Sequence, residues 1–540
     1  MLFPLNSIRR IHNARLRLQA DWRIMHLARH VEKQAVRDSA RGLVAFVNIS
    51  SRLGGVSLNA AFTQLTAWSV QLAGANVIHF ACRAGMTRCV LGTNPDDPTA
   101  APPCASCIAQ SQKLIGPGSA HFFEYQPNPA LEAQLNPLSI AELSSFCILH
   151  SAFNIPLGEL VLPSLRWALR RHNLPDDEPT RHQLRQYILS AHRVAEEFDR
   201  FLTQHKPDTV VIFNGLQFPE ATARWVAQQH SIRVITHEVS FQPFSAFFTE
   251  GDATAYPIAI PDDFELSPAQ NQQLDDWLSR RFKGEFTMAG IRFWPEMSGL
   301  DEDFLAHAAK FKQIVPVFTN VIFDTSQIHA NTVFEHMFAW LETVVETIRQ
   351  TPETLFVIRA HPDEKRPGTR KGTREAVSDW LAERGVTSLP NVIFIDAQDY
   401  ISSYDLIRRA KFVMVYNSSI GLEATLFERP VLCGGKARYT QYPSVHLAQT
   451  PAEYQQTAQK WLAADEIEIP AEYKRNARRF LYYQLYRVSL PFERYLAAHP
   501  TPGYVQLKPF TADDLRPENS STLSVIVDGI LDNRPFQLPD

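Results

Sequence analysis

The feature that constrains this chain most is an alternation. From about residue 42, short runs rich in Val, Ile, Leu and Phe alternate with longer segments of helical periodicity. Such alternation predicts strands joined by crossover helices, and therefore parallel sheets covered on both faces. It comes in two sets. The first opens with Leu43-Val44-Ala45-Phe46-Val47-Asn48-Ile49, a turn at 50–55 and a helix to about residue 73, followed by a strand over 76–80. An irregular stretch rich in Pro, Gly and Asn follows at 92–137. Residues 160–206 read as helical, 209–215 as a strand and turn, 219–230 as a helix and 232–238 as a strand. The second set predicts strands at 313–319, 355–359, 392–395, 412–416 and 430–433, with helices between them. A polar, Pro-containing stretch at about 256–310 separates the two.

Composition closes off several classes. The chain has 540 residues, 45% of them apolar and 20% charged, which suits a multidomain globular protein. A net charge of −4 gives no bulk electrostatic grip on nucleic acid. No apolar run approaches the roughly 18 to 20 residues needed to span a bilayer. The opening Met1-Leu2-Phe3-Pro4-Leu5-Asn6 is too short for a secretory segment, so the expected location is the cytoplasm. Residues 1–41 carry nine basic and three acidic side chains. Helical spacing of Ile11, Leu16, Leu18, Trp22, Ile24, Leu27 and Val31 makes this stretch a basic leader helix. It either docks on the first domain or touches the inner membrane surface.

The expected organisation is a leader at 1–41, a first α/β domain at 42–300 with a Cys-containing insertion, and a second domain at 301–470. Helices at 471–505 have no α/β unit of their own to complete, so they are expected to cross back to the first domain. The Pro- and Asp-rich residues 506–540 are expected to be loosely held.

Polar punctuation in the second set falls at the carboxyl ends of strands, where ligands of open α/β sheets bind. Arg359-Ala360-His361-Pro362-Asp363-Glu364 places an Arg and a His within reach of one anion. Asn417-Ser418-Ser419-Ile420-Gly421-Leu422-Glu423 supplies two hydroxyls and backbone N–H groups at a helix start, a phosphate cradle. Glu423, one turn in, is a candidate partner for sugar hydroxyls. Gly434-Gly435-Lys436 adds a cation. Phosphates of a nucleotide are the ligand type these residues fit.

These residues carry a resemblance. Arg359 to Glu364, together with Tyr416-Asn417-Ser418-Ser419-Ile420-Gly421-Leu422-Glu423-Ala424, resemble bacterial capsule polysaccharide biosynthesis proteins. The segment Gly421 to Val431 resembles the nucleotide-sugar-binding half of GT-B glycosyltransferases. The His-Pro and Ser-Ser pairs resemble phosphate-binding motifs of bacterial enzymes that use CMP-activated acidic sugars. In the first half, Phe213-Asn214-Gly215, His237-Glu238 and Cys104-Ala105-Ser106-Cys107 are similar to what the group carries. The resemblance implies two Rossmann-like domains facing a cleft, with a C-terminal helix crossing back. It implies a glycosyltransferase moving sugar from a nucleotide-sugar to a glycan or lipid-linked glycan acceptor. Arg359, His361, Asn417, Ser418, Ser419, Gly421, Glu423 and Lys436 would then serve the donor. The chain departs from the pattern at Val415, where many retaining relatives carry an acid, and at Arg429, where Gly is usual. Nucleotide and stereochemistry stay open.

A base would come from the first domain. His237 and Glu238, at a strand's carboxyl end, are the candidates, with Glu220 next. Glu238 has a structural alternative, a hydrogen bond to the Asn214 loop. Cys82, Cys89, Cys104 and Cys107, with His79 nearby, read as reduced thiols or, alternatively, a zinc site; the six-residue first gap is wide for zinc. No divalent-metal carboxylate motif is present. Rival readings are a CDP-glycerol-type polyol-phosphate transferase, a sugar-nucleotide 2-epimerase, and a catalytically degenerate scaffold.

Overall fold

The computed structural model describes residues 5–49, 55–115, 119–150, 153–283, 287–288, 291–292, 297–365, 372–500 and 503–540. The predicted turn at 50–55 lies almost wholly outside them. The strands that position the site are β1 (Leu43–Asn48), β2 (Asn76–Cys82), β3 (Ala120–Phe123), β4 (Thr209–Phe213), β5 (Arg233–Val239) and β6 (Ser245–Glu250) in the first half. The second half holds β7 (Gln313–Phe318), β8 (Thr354–Arg359), β9 (Val392–Ile395), β10 (Val413–Val415), β11 (Val431–Cys433) and β12 (His446–Leu447). A late strand, β13 (Leu490–Pro491), returns to the first sheet.

The first sheet has the order β13-β6-β5-β4-β1-β2-β3. Its β3-β2-β1-β4-β5 portion is parallel, with β6 antiparallel on β5 and β13 antiparallel on β6. The second sheet is parallel throughout, in the order β9-β8-β7-β10-β11-β12. Each sheet is therefore wound outward from a central pair, β1 with β4 and β7 with β10. Crossovers leave that pair in opposite directions, which opens a crevice at its carboxyl end. Central strands are apolar on both faces, as burial from two sides requires: all six residues of β8 are buried.

The helices used below are α1 (Leu5–Gln34), α2 (Leu58–Leu72), α3 (Cys104–Ile115), α4 (Leu157–Leu169), α5 (Glu178–His205), α6 (Glu220–Gln229), α7 (Pro268–Phe282), α8 (Met337–Gln350), α9 (Ile420–Leu426), α10 (Ala471–Tyr482) and α11 (Ser521–Leu531). Their starts follow local chemistry. Asp177 accepts from the Thr180 N–H at 2.9 Å and Pro179 follows it, so α5 begins there. His336 Nδ1 accepts from the Ala339 N–H at 3.1 Å at the start of α8.

Four sequence expectations change. The irregular stretch 92–137 holds α3 and the sheet strand β3, because Phe123 is buried against Phe80 despite its polar surroundings. Strand β6 also escaped the reading. The leader helix is not one amphipathic face: Ile24, Leu27 and Val31 are buried in the first domain, while Leu18 and Trp22 point outward. The tail is not loose. Leu523, Ile526, Val527 and Ile530 of α11 join the core that covers β1, and Arg233 donates to the carbonyls of Gly529 and Ile530 at 2.8 Å each.

The crossing itself is present. Helix α10 lies against the second half, where Asn476 donates to the Pro443 carbonyl at 2.9 Å. The chain then enters the first sheet as β13, and the Phe492 N–H donates to the Phe244 carbonyl at 2.7 Å. Side-chain contacts also join the two halves. Glu375 accepts from the N–H groups of His172 and Asn173 beyond α4, at 2.8 and 3.0 Å. His329 meets Thr254 at 2.7 Å, and Arg438 stacks 3.7 Å from the Tyr256 ring.

Candidate functional site: a pocket at the β7–β8–β10 strand ends

Because β8, β7 and β10 are neighbours, residues just past their ends converge. Thr319 follows β7, Arg359 ends β8 with His361 two residues on, and Ser418 and Ser419 follow β10. Together with Tyr404, Arg281 and Glu423 they line a cavity of about 290 Å³. Arg359 is 4% exposed, yet its Nη1 has no hydrogen-bond partner. Burial pulls its guanidinium down to about 10, with Asp399 opposing. An unmatched buried cation costs stability unless something anionic meets it. His361 lines the same pocket. Its Nδ1 accepts from the Asp363 N–H at 3.2 Å, so the neutral ring carries its proton on Nε2 as a donor. Ser418 and Ser419 line the same wall, Ser418 half-buried and Ser419 exposed.

The structure redistributes the other expected donor residues. Glu423 is 6% exposed and both its oxygens are engaged: Oε1 accepts from Arg281 Nε at 2.6 Å, Oε2 from the Tyr404 hydroxyl at 2.8 Å. It is held as a buried ion pair at the pocket wall, not as an open acceptor for sugar hydroxyls. Arg281, raised by Glu423 against the cost of burial, comes from α7 in the stretch that reads as a linker. Nothing in the local sequence ties it to Glu423. Asn417 points away from the pocket. Its Oδ1 accepts from Asn320 at 2.8 Å and Gln327 at 3.2 Å, fastening the loop after β7. Gly421 is needed for packing, since a Cβ there would strike the Tyr439 hydroxyl and Val415. Lys436 is exposed and lies by the 330 loop, its N–H donating to the Ala330 carbonyl at 3.0 Å, outside the pocket wall.

In the first half the candidate bases separate. His237 is fully buried, stacked on Phe248 at 5.0 Å. The Thr63 hydroxyl donates to the Asn59 carbonyl and therefore accepts from His237 Nε2, 2.9 Å away. Nδ1 is left as an unpaired lone pair in the core, and burial pushes the imidazole down to about 3. His237 is a core residue and cannot reach an acceptor. Period-two alternation sends its neighbour Glu238 the other way. Glu238 is half-buried; Oε2 accepts from Asn214 Nδ2 at 2.6 Å and Oε1 from the Val239 N–H at 2.8 Å. Asn214, in the left-handed region at φ 61°, also accepts from the N–H groups of Leu216 and Gln217. The predicted Asn214 contact thus exists. Glu238 and Asp324 of the second half both act on Tyr256, the ring that carries Arg438. Glu220, 5% exposed, stands between a polar cavity of about 20 Å³ by Asn48 and Thr63 and an apolar one of about 60 Å³.

That apolar cavity is lined by Cys82, Cys89, Cys104 and Cys107. All are free thiols, and burial pushes Cys82 and Cys89 up to about 12. Met86, Val90 and Phe218 line the same cavity, and among the described residues no group of three or more His, Cys, Asp or Glu side chains is placed to hold a metal ion. His79 is engaged elsewhere, accepting from Asn48 at 2.7 Å. Among the described residues no helix is long and apolar enough to cross a membrane.

The two wound sheets and the crossing chain define a GT-B-like α/β protein. Residues 293–464, which supply most of the pocket's lining, match the family described as capsule polysaccharide biosynthesis protein. The resemblance read from Arg359 to Glu364 and Tyr416 to Ala424 is therefore borne out. Among solved structures the chain is similar to a β-Kdo 2,7 transferase, KpsC of Thermosulfurimonas dismutans, at 14% identity over 59% of this chain and 86% of that one, with a TM-score of 0.32. It is also similar to UDP-GlcNAc 2-epimerase of Neisseria meningitidis, at 11% identity over 82% and 98% with a TM-score of 0.25. A third is sucrose-phosphate synthase of Thermosynechococcus elongatus, at 14% over 82% and 94% with a TM-score of 0.27. No curated protein sequence matches.

Proposed function

We propose that this protein is a glycosyltransferase of capsule or related surface-glycan synthesis, taking its sugar from a nucleotide-sugar donor. The observation that carries the reading is the unpaired Nη1 of buried Arg359 in a 290 Å³ pocket at a switch point. Donor phosphate would meet Arg359, the Nε2–H of His361 and the hydroxyls of Ser418 and Ser419. As the acceptor oxygen bonds to the anomeric carbon and the carbon–phosphate-oxygen bond breaks, charge grows on the leaving phosphate. Arg359 and His361 are placed to stabilise it. Glu238, oriented by Asn214, is the acceptor-side base in this reading. The acceptor is a glycan, free or lipid-linked.

The test is thermal unfolding of the full chain with UDP, CMP, GDP and dTDP, repeated in Arg359→Met. A nucleotide at about 100 times its dissociation constant should stabilise the native state by about 2.7 kcal/mol. The variant should lose that response. If no nucleotide shifts the native protein, or Arg359→Met responds equally, the reading fails.

A further inference from the structure

Helix α1 is anchored by one side and open on another. Ile24, Leu27 and Val31 are buried in the first domain, and Lys113 of α3 closes on Asp21 at 2.6 Å. At 100° per residue, the opposite side carries Arg15, Leu18, Trp22, Met25, His26, Arg29 and Lys33, all exposed. Leu18 is 70% and Trp22 64% exposed. A soluble surface rarely leaves a tryptophan and a leucine one turn apart in water. Here they are interleaved with three cations. The one exposed acid at the stripe's edge is Glu32, beside Met25, because Asp21 is buried with Lys113.

We infer that this outer face of α1 docks on an anionic lipid surface. The body as a whole carries a net charge of −4, so a cationic stripe here is a local feature. Cations flanking Leu and Trp are the pattern of a helix lying in the headgroup plane, its apolar side chains in the acyl boundary and its charges among lipid phosphates. Tryptophan, apolar in body with a polar N–H, suits that depth. Helix α1 packs on α3, whose Cys104, Cys107, Leu114 and Ile115 line the cavities around Glu220. Docking would therefore hold the first domain's crevice near the lipid. The inference does not depend on which nucleotide, if any, fills the second-domain pocket.

The experiment is co-sedimentation of the full-length protein with vesicles of equimolar phosphatidylglycerol and phosphatidylcholine, and with phosphatidylcholine alone. The native chain should bind the anionic vesicles and release as salt rises. Each exposed cation near such a surface strengthens partitioning about five-fold. Arg15→Gln/Arg29→Gln/Lys33→Gln should then bind about 100-fold more weakly, and Leu18→Ser/Trp22→Ser should also release. All these side chains are exposed, so melting temperatures should hold, which separates lost binding from lost folding. Equal binding to neutral vesicles, no binding, or undiminished binding by either variant overturns the inference. So does sedimentation velocity showing a native dimer that Leu18→Ser/Trp22→Ser makes monomeric, since the face would then belong to a second copy.

Discussion

Two buried ions in the pocket predict opposite responses to mutation. Arg359 has an unmatched Nη1 without ligand, so Arg359→Met should raise the ligand-free melting temperature while weakening nucleotide binding. Losing one charge-assisted hydrogen bond costs about 1.5 to 3 kcal/mol of affinity. A lower ligand-free melting temperature in that variant would mean Arg359 is a structural cation after all. Glu423 is matched twice, so Glu423→Gln should destabilise the protein by about 2 to 4 kcal/mol, because it strands Arg281. Adding Arg281→Met should recover part of that loss in a denaturant titration; strict additivity would deny the pairing. At the acceptor side, Glu238→Gln should cut turnover about 100- to 10,000-fold with nucleotide binding intact. His237→Gln should act on stability alone. Near-normal transfer by Glu238→Gln would move the base to Glu220 or elsewhere.

At the scale of elements, the C-terminal segment shows why composition misleads. Residues 506–540 read as loose because Pro and Asp are frequent there. Yet α11 repeats apolar residues at Leu523, Ile526, Val527 and Ile530, and a helix with that spacing buries one stripe. Ile526 is 0% exposed, so Ile526→Ala should cost about 2 to 5 kcal/mol in chemical unfolding. A loss under about 0.5 kcal/mol would make α11 a peripheral strap. Strand β3 was illegible for a related reason. Four residues, three of them only half-buried, do not make an alternating pattern, and the sheet partner β2 decides their state.

For the molecule as a whole, acid stability follows from buried imidazoles. Burial pushes His79 down to about 4 and both His172 and His237 to about 3, against about 6.5 in an unfolded chain. Below pH 6.5 the unfolded state takes up protons that the folded state refuses. Their contribution is therefore intact above pH 6.5 and falls towards pH 4, by about 1.4 kcal/mol per pH unit per histidine. Glu364, raised to about 8 by burial, has the opposite sign and removes stability as pH rises from 4.5 to 8. Melts across pH 4–8 should show both limbs. His237→Gln should make the acid limb shallower by about 1.4 kcal/mol per pH unit, and an unchanged slope would place a charged His237 in the fold.

What the chain determined by itself was periodic or contiguous. Alternating β-rich and helical runs led to two sheets with parallel cores, because burial on both faces imposes continuous apolar strands. Arg359, His361, Ser418 and Ser419 were legible as one group because each lies within a few residues of a strand's carboxyl end, and the structure brings them to one pocket. Tertiary structure decided the pairings between distant segments. Glu423 reads as a sugar ligand until Arg281, 142 residues away, closes on it. His237 and Glu238 are equal in sequence until β5 is placed, when the pleat buries one beneath α2 and turns the other to Asn214. Leu18 and Trp22 lie on the opposite side of α1 from Ile24 and Leu27, and only docking on the first domain decides which side is the inner one. In each case the deciding contact is made by a side chain from another segment, and short-range periodicity carries no record of it.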